Sequence, residues 1–306
     1  MAIVSGRKRG RIGARLAAAA VTAALVATGA SAVAAENPGK SAGSVTAKPK
    51  NGAAAPRSGA TSAVSYFALY GVARDGFVYG YPADGNGGLE ARQYSGYGWG
   101  STKDIAQTDL NDDGRADGFW ARENNGDLLY QPFGGSYFKV GGGWNTYNRI
   151  WAVGNLGGAG AGDLLARDGS GTLYLYLGYG NGNMTSRYKV GGGWGQYTQI
   201  AGNGDLTGDG KPDIVARDGS GNLWLYKGTG NYKAPFEGRT RIGGGWNAYN
   251  TLVSVGDITG DGRTDLLARD GNGALWRYSG NGNARDPFES KVKIGNGGWN
   301  TYRLLF

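Results

Sequence analysis

The chain has 306 residues, with 61 glycines and nine tryptophans but neither cysteine nor histidine. These absences exclude disulfides, Cys/His zinc sites and Ser-His-Asp or Cys-His catalytic arrangements within the chain. The formal charge is +8, which would suit a nucleic-acid partner only if the basic residues lay on the folded part.

Residues 1–35 have the layout of a secretory signal peptide. Basic residues up to Arg15 are followed by an apolar run from Leu16 to Ala30 and by small residues up to Ala35, where we expect cleavage and export. The apolar run is shorter than the roughly 20 residues of a membrane span, so no membrane span is expected after cleavage. Residues 36–63 are rich in Ala, Gly, Ser, Pro and Lys, and we expect a flexible linker.

The charge changes sharply once these two segments are set aside. They carry nine of the 32 basic residues and one of the 24 acidic residues, which leaves 23 of each from residue 64 onwards. A nucleic-acid-binding domain carries a net basic field. The sequence therefore predicts no nucleic-acid partner.

Two sequence markers repeat five times between residues 64 and 306. The first is Ala-Arg-Asp or Ala-Arg-Glu, and the second is a Gly-rich turn that ends in tryptophan. Their arginines and tryptophans are spaced by 45 to 53 residues: Arg74, Arg122, Arg167, Arg217 and Arg269, and Trp99, Trp144, Trp194, Trp246 and Trp299. A period of this length indicates a repeat architecture.

Each repeat contains four short strands with local connections and no helical periodicity. In the fourth, residues 198–204, 213–217, 222–226 and 239–242 are separated by Gly-rich or Asp-rich turns. Four-stranded units of this length are typical of propeller blades. The sequence therefore predicts an all-β, five-bladed β-propeller of antiparallel blades over residues 64–306.

The two ends of the repeat region complement each other. Residues 299–306 match the opening strand of a repeat, whereas the first repeat lacks that strand. We therefore expect the C-terminal strand to complete the first blade and close the ring. The alternatives are a β-sandwich or an open solenoid, and a solenoid would need capping units of different character.

Three acidic loops have the spacing of a cation site. Aspartate occupies positions one, five and nine, Asn or Thr occupies position three, and Gly follows at position six. Such spacing predicts an oxygen cage for structural calcium of modest affinity, and the alternative is a turn in which Asp caps backbone N–H groups. The candidate ligands are Asp109, Asn111, Asp113, Asp117, Asp205, Thr207, Asp209, Asp213, Asp257, Thr259, Asp261 and Asp265. The third repeat keeps only Asp163, so no ion is expected there.

These loops, followed by Leu-Leu-Ala-Arg-Asp, resemble the FG-GAP or VCBS-type repeat of secreted bacterial proteins and integrin α-subunit heads. That resemblance implies calcium at the same residues. The five-fold count and the Gly-Gly-Trp marker are similar to those of tachylectin-type lectin propellers, which implies binding of N-acetylated sugars between blades. The layout of signal peptide and propeller also resembles the lectin subunits of bacterial umbrella toxin particles.

The tryptophan marker is the best candidate for a ligand site. An aromatic face can stack on a sugar ring while neighbouring amides and hydroxyls bind its hydroxyls, although the same tryptophan can simply fill the wedge between blades. At Trp99 the tyrosine three residues later is replaced by Thr102. The candidate residues are Trp99, Trp144, Asn145, Tyr147, Trp194, Tyr197, Trp246, Asn247, Tyr249, Trp299, Asn300 and Tyr302. The repeated arginines are expected to pair with local carboxylates.

These features predict a secreted carbohydrate-binding propeller that recognises cell-surface or cell-wall glycans by several equivalent sites. The alternative is a protein–protein scaffold with a secreted partner, such as a targeting subunit of a toxin assembly. An enzyme is the third possibility, but no repeat carries an added acid pair of the kind that cleaves glycans. We therefore expect no enzymatic activity.

Overall fold

The computed structural model describes residues 62–306. The predicted signal peptide and all but the last two residues of the predicted linker lie outside the described residues. The described chain forms twenty strands in five four-stranded antiparallel sheets, which are arranged as a ring. This confirms the predicted five-bladed β-propeller.

Each blade takes its four strands from one stretch of chain, except the first. Blade 1 contains β1 (Leu69–Ala73), β2 (Val78–Tyr81) and β3 (Gln93–Gly96). Blade 2 contains β4 (Thr102–Thr108), β5 (Gly118–Glu123), β6 (Leu128–Pro132) and β7 (Phe138–Gly141). Blade 3 contains β8 (Tyr147–Ala152), β9 (Leu164–Asp168), β10 (Leu173–Tyr176) and β11 (Tyr188–Gly191).

The two remaining blades follow the same order. Blade 4 contains β12 (Tyr197–Ala201), β13 (Ile214–Asp218), β14 (Leu223–Tyr226) and β15 (Thr240–Gly243). Blade 5 contains β16 (Tyr249–Gly256), β17 (Asp265–Asp270), β18 (Leu275–Tyr278) and β19 (Val292–Gly295). The chain then ends with β20 (Tyr302–Leu305). The predicted strands of the fourth repeat differ from the observed ones by at most three residues at their ends.

The C-terminal strand closes the ring as the sequence predicts. Strand β20 pairs antiparallel with β1, with Gly71 opposite Leu305. Beyond the strand, Phe306 and Tyr70 exchange two backbone hydrogen bonds of 2.8 and 3.0 Å. Their rings also stack with centroids 5.7 Å apart. Hydrogen bonds and aromatic burial therefore both hold the first and last strands together.

The innermost strands β4, β8, β12, β16 and β20 surround a central channel of about 120 Å³. The strands β3, β7, β11, β15 and β19 form the opposite, outer edges of the blades.

The start of the described chain crosses the end of the channel that carries the acidic loops. There the N–H of Tyr66 donates to the carbonyl of Gly114 at 2.8 Å, and the N–H of Ser62 donates to that of Gly210 at 2.8 Å.

The hairpin turns follow from their Asp-Gly sequences. Between β13 and β14, one carboxylate oxygen of Asp218 accepts the N–H groups of Ser220 and Asn222, each at 2.9 Å. Gly221 adopts a positive φ of 82°, which glycine reaches without steric cost. This chemistry recurs at Asp168 and Asp270, so the repeated tripeptide encodes a repeated turn.

The hydrophobic core lies between blades rather than within one of them. One cluster joins Leu173 and Leu175 of blade 3 to Trp194, Ile200 and Ala216 of blade 4. The other clusters likewise combine neighbouring blades, so each blade is stabilised mainly by its neighbours. Within residues 62–306, no helix has the length and apolarity needed to cross a membrane.

The repeated arginines connect blades, which corrects the prediction that they pair with local carboxylates. Buried Arg217 donates to the backbone carbonyl oxygens of Trp246, at 3.0 Å, and Tyr249 in the next blade. Arg167 and Arg269 make the corresponding bonds. Among the five, and within residues 62–306, only Arg122 pairs with a carboxylate, that of Asp104. Every residue carries a backbone carbonyl, so a pattern of side chains cannot indicate which carbonyls the arginines bind.

The first arginine marker is out of register with the others. Val72 lies opposite Val78, as Arg167 lies opposite Leu173, so Val72 and not Arg74 occupies the structural position of the arginine. In blade 1 the hydrogen bond to a carbonyl of the next blade comes from a residue of the closing strand β20. Arg303 donates to the carbonyl of Trp99 in blade 2, and β20 therefore also joins blade 1 to blade 2.

Candidate functional site

The five marker tryptophans occupy equivalent positions at the blade junctions. The backbone N–H of each donates to a hairpin glycine of the preceding blade, with N–O distances of 2.9 to 3.1 Å. The side chains are only 4 to 8% exposed. In four of the five, a glycine with positive φ starts the short 3-10 turn that begins with the tryptophan. The tryptophans therefore act as wedges, and little of their surface is free for a ligand.

A pair of tyrosine hydroxyls lies beside each of four tryptophans. The tyrosine three residues after the tryptophan reaches across the sheet to a tyrosine of the third strand. The oxygen–oxygen distances are 2.5 to 2.6 Å in the pairs Tyr147–Tyr176, Tyr197–Tyr226, Tyr249–Tyr278 and Tyr302–Tyr81. The second tyrosine of each pair is not among the ligand residues predicted from the sequence. Its constant separation of 29 residues in three repeats was the available signal.

The second tyrosine also packs on the tryptophan. The ring centroids lie 4.6 Å apart for Trp194–Tyr226 and for Trp246–Tyr278. An apolar side chain from the loop before the outer strand covers the pair in blade 4, where Phe236 lies 5.7 Å from both rings. Phe288 has this place in blade 5. The result is an aromatic pocket with two hydroxyls on its wall.

A basic side chain completes each of these clusters. Arg187 donates to the hydroxyl of Tyr147 at 3.1 Å and lies 4.5 Å from the ring centre of Tyr174. Arg239 and Lys291 make the same pair of contacts in blades 4 and 5, with Trp224 and Trp276 as the rings. Arg92 lies 4.8 Å from the ring centre of Tyr79 in blade 1. All four cations are exposed.

We call each cluster of tryptophan, paired tyrosines and cation a junction site. Blades 1, 3, 4 and 5 contain one each, and the site of blade 1 joins Trp299 and Tyr302 to residues near the start of the propeller. Blade 2 has Trp99 but lacks the hydroxyl pair, because Thr102 replaces the first tyrosine and donates to the buried carboxylate of Glu123 at 2.7 Å. The structure thus gives a reason for the expected difference at Trp99.

An open cavity of about 470 Å³ lies against the junction site of blade 4. Its walls include Trp194, Tyr197, Tyr226 and Phe236, together with the Gly-rich turn that follows β11. Arg239 hydrogen-bonds to two lining side chains, the hydroxyl of Tyr197 and the amide oxygen of Gln196 at 3.3 Å. Polar groups and aromatic rings therefore converge on one concave surface.

One tyrosine of each hydroxyl pair has a raised pKa. Burial is the largest cause that raises the pKa of Tyr226, and the hydrogen bond to Tyr197 adds to it. The same causes raise the pKa values of Tyr81, Tyr176 and Tyr278. One hydroxyl of each pair donates to the other, so one O–H and several lone pairs stay available. These groups can bind a hydroxylated ligand but are poor nucleophiles.

The predicted asparagines lie at the margin of the sites. The side-chain amides of Asn247 and Asn300 donate to the carbonyl oxygens of Gly219 and Gly271, at 3.3 and 2.9 Å. The side chain of Asn145 lies against Gly126. The asparagines therefore contact the hairpin of the preceding blade, apart from the tyrosine pairs.

The acidic loops lie at the other end of the channel, where their first and ninth aspartates accept backbone N–H groups. Asp205 accepts those of Thr207, Gly208 and Gly210 at 2.6 to 2.8 Å. Asp213 accepts those of Leu206 and Gly228 at 2.9 and 2.8 Å. The corresponding aspartates of blades 2 and 5 do the same: Asp109, Asp117, Asp257 and Asp265.

Among the remaining predicted ligands, Thr207 and Thr259 donate to the first aspartate of their loops, Asp205 and Asp257, at 3.4 and 3.1 Å. Over residues 62–306, no three Asp, Glu, His or Cys side chains gather closely enough to hold a metal ion. Burial raises the pKa of Asp213 to about 7. In the third loop, Asp163 likewise accepts two backbone N–H groups without the other acidic positions. In this structure the loop aspartates accept hydrogen bonds from backbone N–H groups. Calcium binding stays a prediction from the sequence.

We expect calcium to add modest stability to a fold that forms without it, because backbone donors already satisfy the loop carboxylates. At a tenfold excess over the dissociation constant, one site contributes about 1.4 kcal/mol. Thermal melts with chelator and with 10 mM calcium measure this. Unfolding by chelator would contradict backbone capping, whereas identical curves would remove the calcium prediction.

Comparison with known proteins identifies the repeat in part of the chain. Residues 205–268 match the model of the FG-GAP-like repeat. The match runs from the acidic loop of blade 4 into β17 of blade 5, so this FG-GAP-like stretch contains two of the three acidic loops. No curated protein matches the chain.

Several solved structures are similar to the chain at low sequence identity. A mutant of AofleA from Arthrobotrys oligospora is 11% identical, with a TM-score of 0.45, 79% of this chain covered and 75% of that one. The BP39L lectin from Burkholderia pseudomallei is 14% identical, with a TM-score of 0.47 and coverages of 78% and 72%. Human WBSCR16 is 11% identical, with a TM-score of 0.34 and coverages of 76% and 67%.

Proposed function

We propose that this protein is a secreted, lectin-like propeller that binds glycans at its junction sites and catalyses no reaction. The single observation that carries the proposal is the fourfold recurrence of a tryptophan-backed tyrosine pair with a neighbouring cation. The cavity beside Trp194 has the size and the mixture of aromatic and polar walls that suit a small polar ligand. Secretion is proposed from the predicted signal peptide alone.

The site chemistry favours hydroxyl-rich ligands. The free O–H and the lone pairs of each tyrosine pair can exchange hydrogen bonds with sugar hydroxyls, while the neighbouring rings cover the apolar face of the sugar. Each site gives only a few such contacts, so we expect weak individual binding. Four sites on one rigid ring would gain avidity on a polymeric glycan or a cell surface.

Replacing Tyr226 by phenylalanine tests the role of the hydroxyl pair. The ring and its packing on Trp194 remain, whereas one hydrogen-bonding group is lost, so we expect affinity for a glycan-array hit to fall about 3- to 10-fold at that site. The matched control is Tyr179→Phe, at an exposed tyrosine outside the junction sites. A folded protein that binds no sugar on the array would contradict the proposal.

An exposed aromatic patch favours protein docking as a second candidate. Phe77, Tyr94 and Tyr97 on blade 1 are 37 to 54% exposed, and Phe77 lies about 6 Å from both tyrosines. Exposed apolar side chains in contact are typical of interaction surfaces. A secreted protein that co-purifies with the chain, but not with a Phe77→Ser variant, would support a scaffold such as a toxin-assembly subunit.

A further inference from the structure

The outer edge of the propeller carries an excess of positive charge. Eight basic residues lie on or directly before the outer strands: Arg92, Lys139, Arg187, Lys189, Arg239, Arg241, Lys291 and Lys293. The strands themselves, β3, β7, β11, β15 and β19, contain no Asp or Glu. Because the propeller region has as many acidic as basic residues, its negative charge is concentrated elsewhere, mainly in the hairpin turns and the acidic loops.

The four junction-site cations are among these eight basic residues, and they have no acidic partner within residues 62–306. Over residues 62–306, none of Arg92, Arg187, Arg239 and Lys291 forms an ion pair, whereas Lys139 pairs with Asp127 at 2.6 Å. Each of the four instead lies over an aromatic ring, at 4.0 to 4.8 Å from its centre. The ring holds the cation in place and leaves donors directed to solvent.

Charged side chains on edge strands also prevent aggregation, but that role does not require contacts with the site. Arg239 hydrogen-bonds to the hydroxyl of Tyr197 and lies over Trp224, so this cation is fixed beside the aromatic pocket. The side chains of Glu237 and Lys233 also line the cavity. Lys227 lies 3.8 Å from the carboxylate of Glu237 and 3.4 Å from that of Asp209, whereas neither Lys233 nor Arg239 forms an ion pair within residues 62–306. The unpaired charge next to the pocket is therefore positive.

We propose that the junction sites select acidic glycans whose carboxylate is carried on the sugar ring, as in polyuronates. This inference rests on the proposed glycan-binding function. In each site the cation and the aromatic rings lie in one cluster, so a single sugar unit must supply both the anion and the ring. A uronate unit does so, whereas a phosphodiester polymer places its charge between units. One exposed ion pair contributes little binding free energy. Several such pairs around the ring, engaged by one polymer, increase the avidity.

Two double variants of the full chain test the inference by their binding to polygalacturonate. R187Q/R239Q removes two junction-site cations, and K189Q/R241Q removes the same charge two residues further along the same outer strands. We expect at least a tenfold loss of affinity for the first and less than threefold for the second. Methyl-esterified polygalacturonate, which lacks the charge, should bind at least tenfold more weakly than the free acid.

The outcomes separate the two proposals. Equal binding of the esterified and free polymers would overturn the acidic preference while supporting glycan binding, and binding to no glycan by folded protein would overturn both. Equal losses in the two double variants, with equal binding to DNA, would show a nonspecific charge effect and overturn the inference. Binding to a phosphodiester wall polymer but not to polygalacturonate would also overturn it. Melting curves of both variants establish that they are folded.

Discussion

A chain that lacks residues Trp299–Phe306 is expected to lose its cooperative fold. The deletion removes β20, the backbone bonds to Tyr70 and three buried aromatic side chains, those of Trp299, Tyr302 and Phe306. Replacing one such side chain by alanine costs about 3–5 kcal/mol. Three of them together, about 9–15 kcal/mol, are comparable with the roughly 5–15 kcal/mol by which a whole domain is stable. Thermal melting and near-ultraviolet circular dichroism measure the loss.

The control in the same strand is Arg303→Gln. It removes the bond to the carbonyl of Trp99 but keeps the strand, so a loss of about 1–3 kcal/mol is expected. A synthetic peptide of residues 296–306 should restore the near-ultraviolet signal of the truncated chain by filling the vacant edge of β1. A truncated chain that melts like the full one would show that closure by β20 contributes little.

Replacing Trp246 by alanine is expected to destabilise the protein by about 3–5 kcal/mol. The indole is 7% exposed and fills the wedge between blades 4 and 5. For a domain of this size, each kcal/mol lowers the melting temperature by roughly 2–4 °C. Chemical denaturation gives the free energy directly.

Trp246→Phe is the matched control, since it keeps an aromatic ring against Tyr278. A smaller loss than for alanine is expected, because less volume is removed. If alanine costs less than about 1 kcal/mol, a value typical of surface positions, the indole does not act as a wedge. Tryptophan variants affect stability and binding together, so the tyrosine-to-phenylalanine variant is the cleaner test of ligand contacts.

The parts of the fold that depend on local sequence could be predicted. The hairpin turns at Asp168, Asp218 and Asp270 and the Gly-rich turns before the tryptophans recur at a fixed period. The complementarity between residues 299–306 and the incomplete first repeat indicated the closure. These features need only neighbouring residues or a comparison of repeats, and the structure confirms them.

Features that depend on register and on backbone partners could not be predicted. The pairing of Tyr197 with Tyr226 joins the first and third strands of a blade, and only the sheet register brings the two hydroxyls together. Arg217 binds carbonyl groups, which every residue carries, so no sequence pattern points to them. Arg74 was predicted to be equivalent to the other repeated arginines. Its tripeptide lies two residues after the equivalent position in the sheet, which Val72 occupies.

The central claim is that four equivalent junction sites surround one closed ring, and a count of bound ligands tests it most directly. Calorimetric titration with a short glycan identified on the array should give four sites per chain, because blade 2 lacks the tyrosine pair. The Tyr226→Phe variant should weaken one of the four. A single site, or five sites that include blade 2 and do not respond to the tyrosine substitution, would contradict the account.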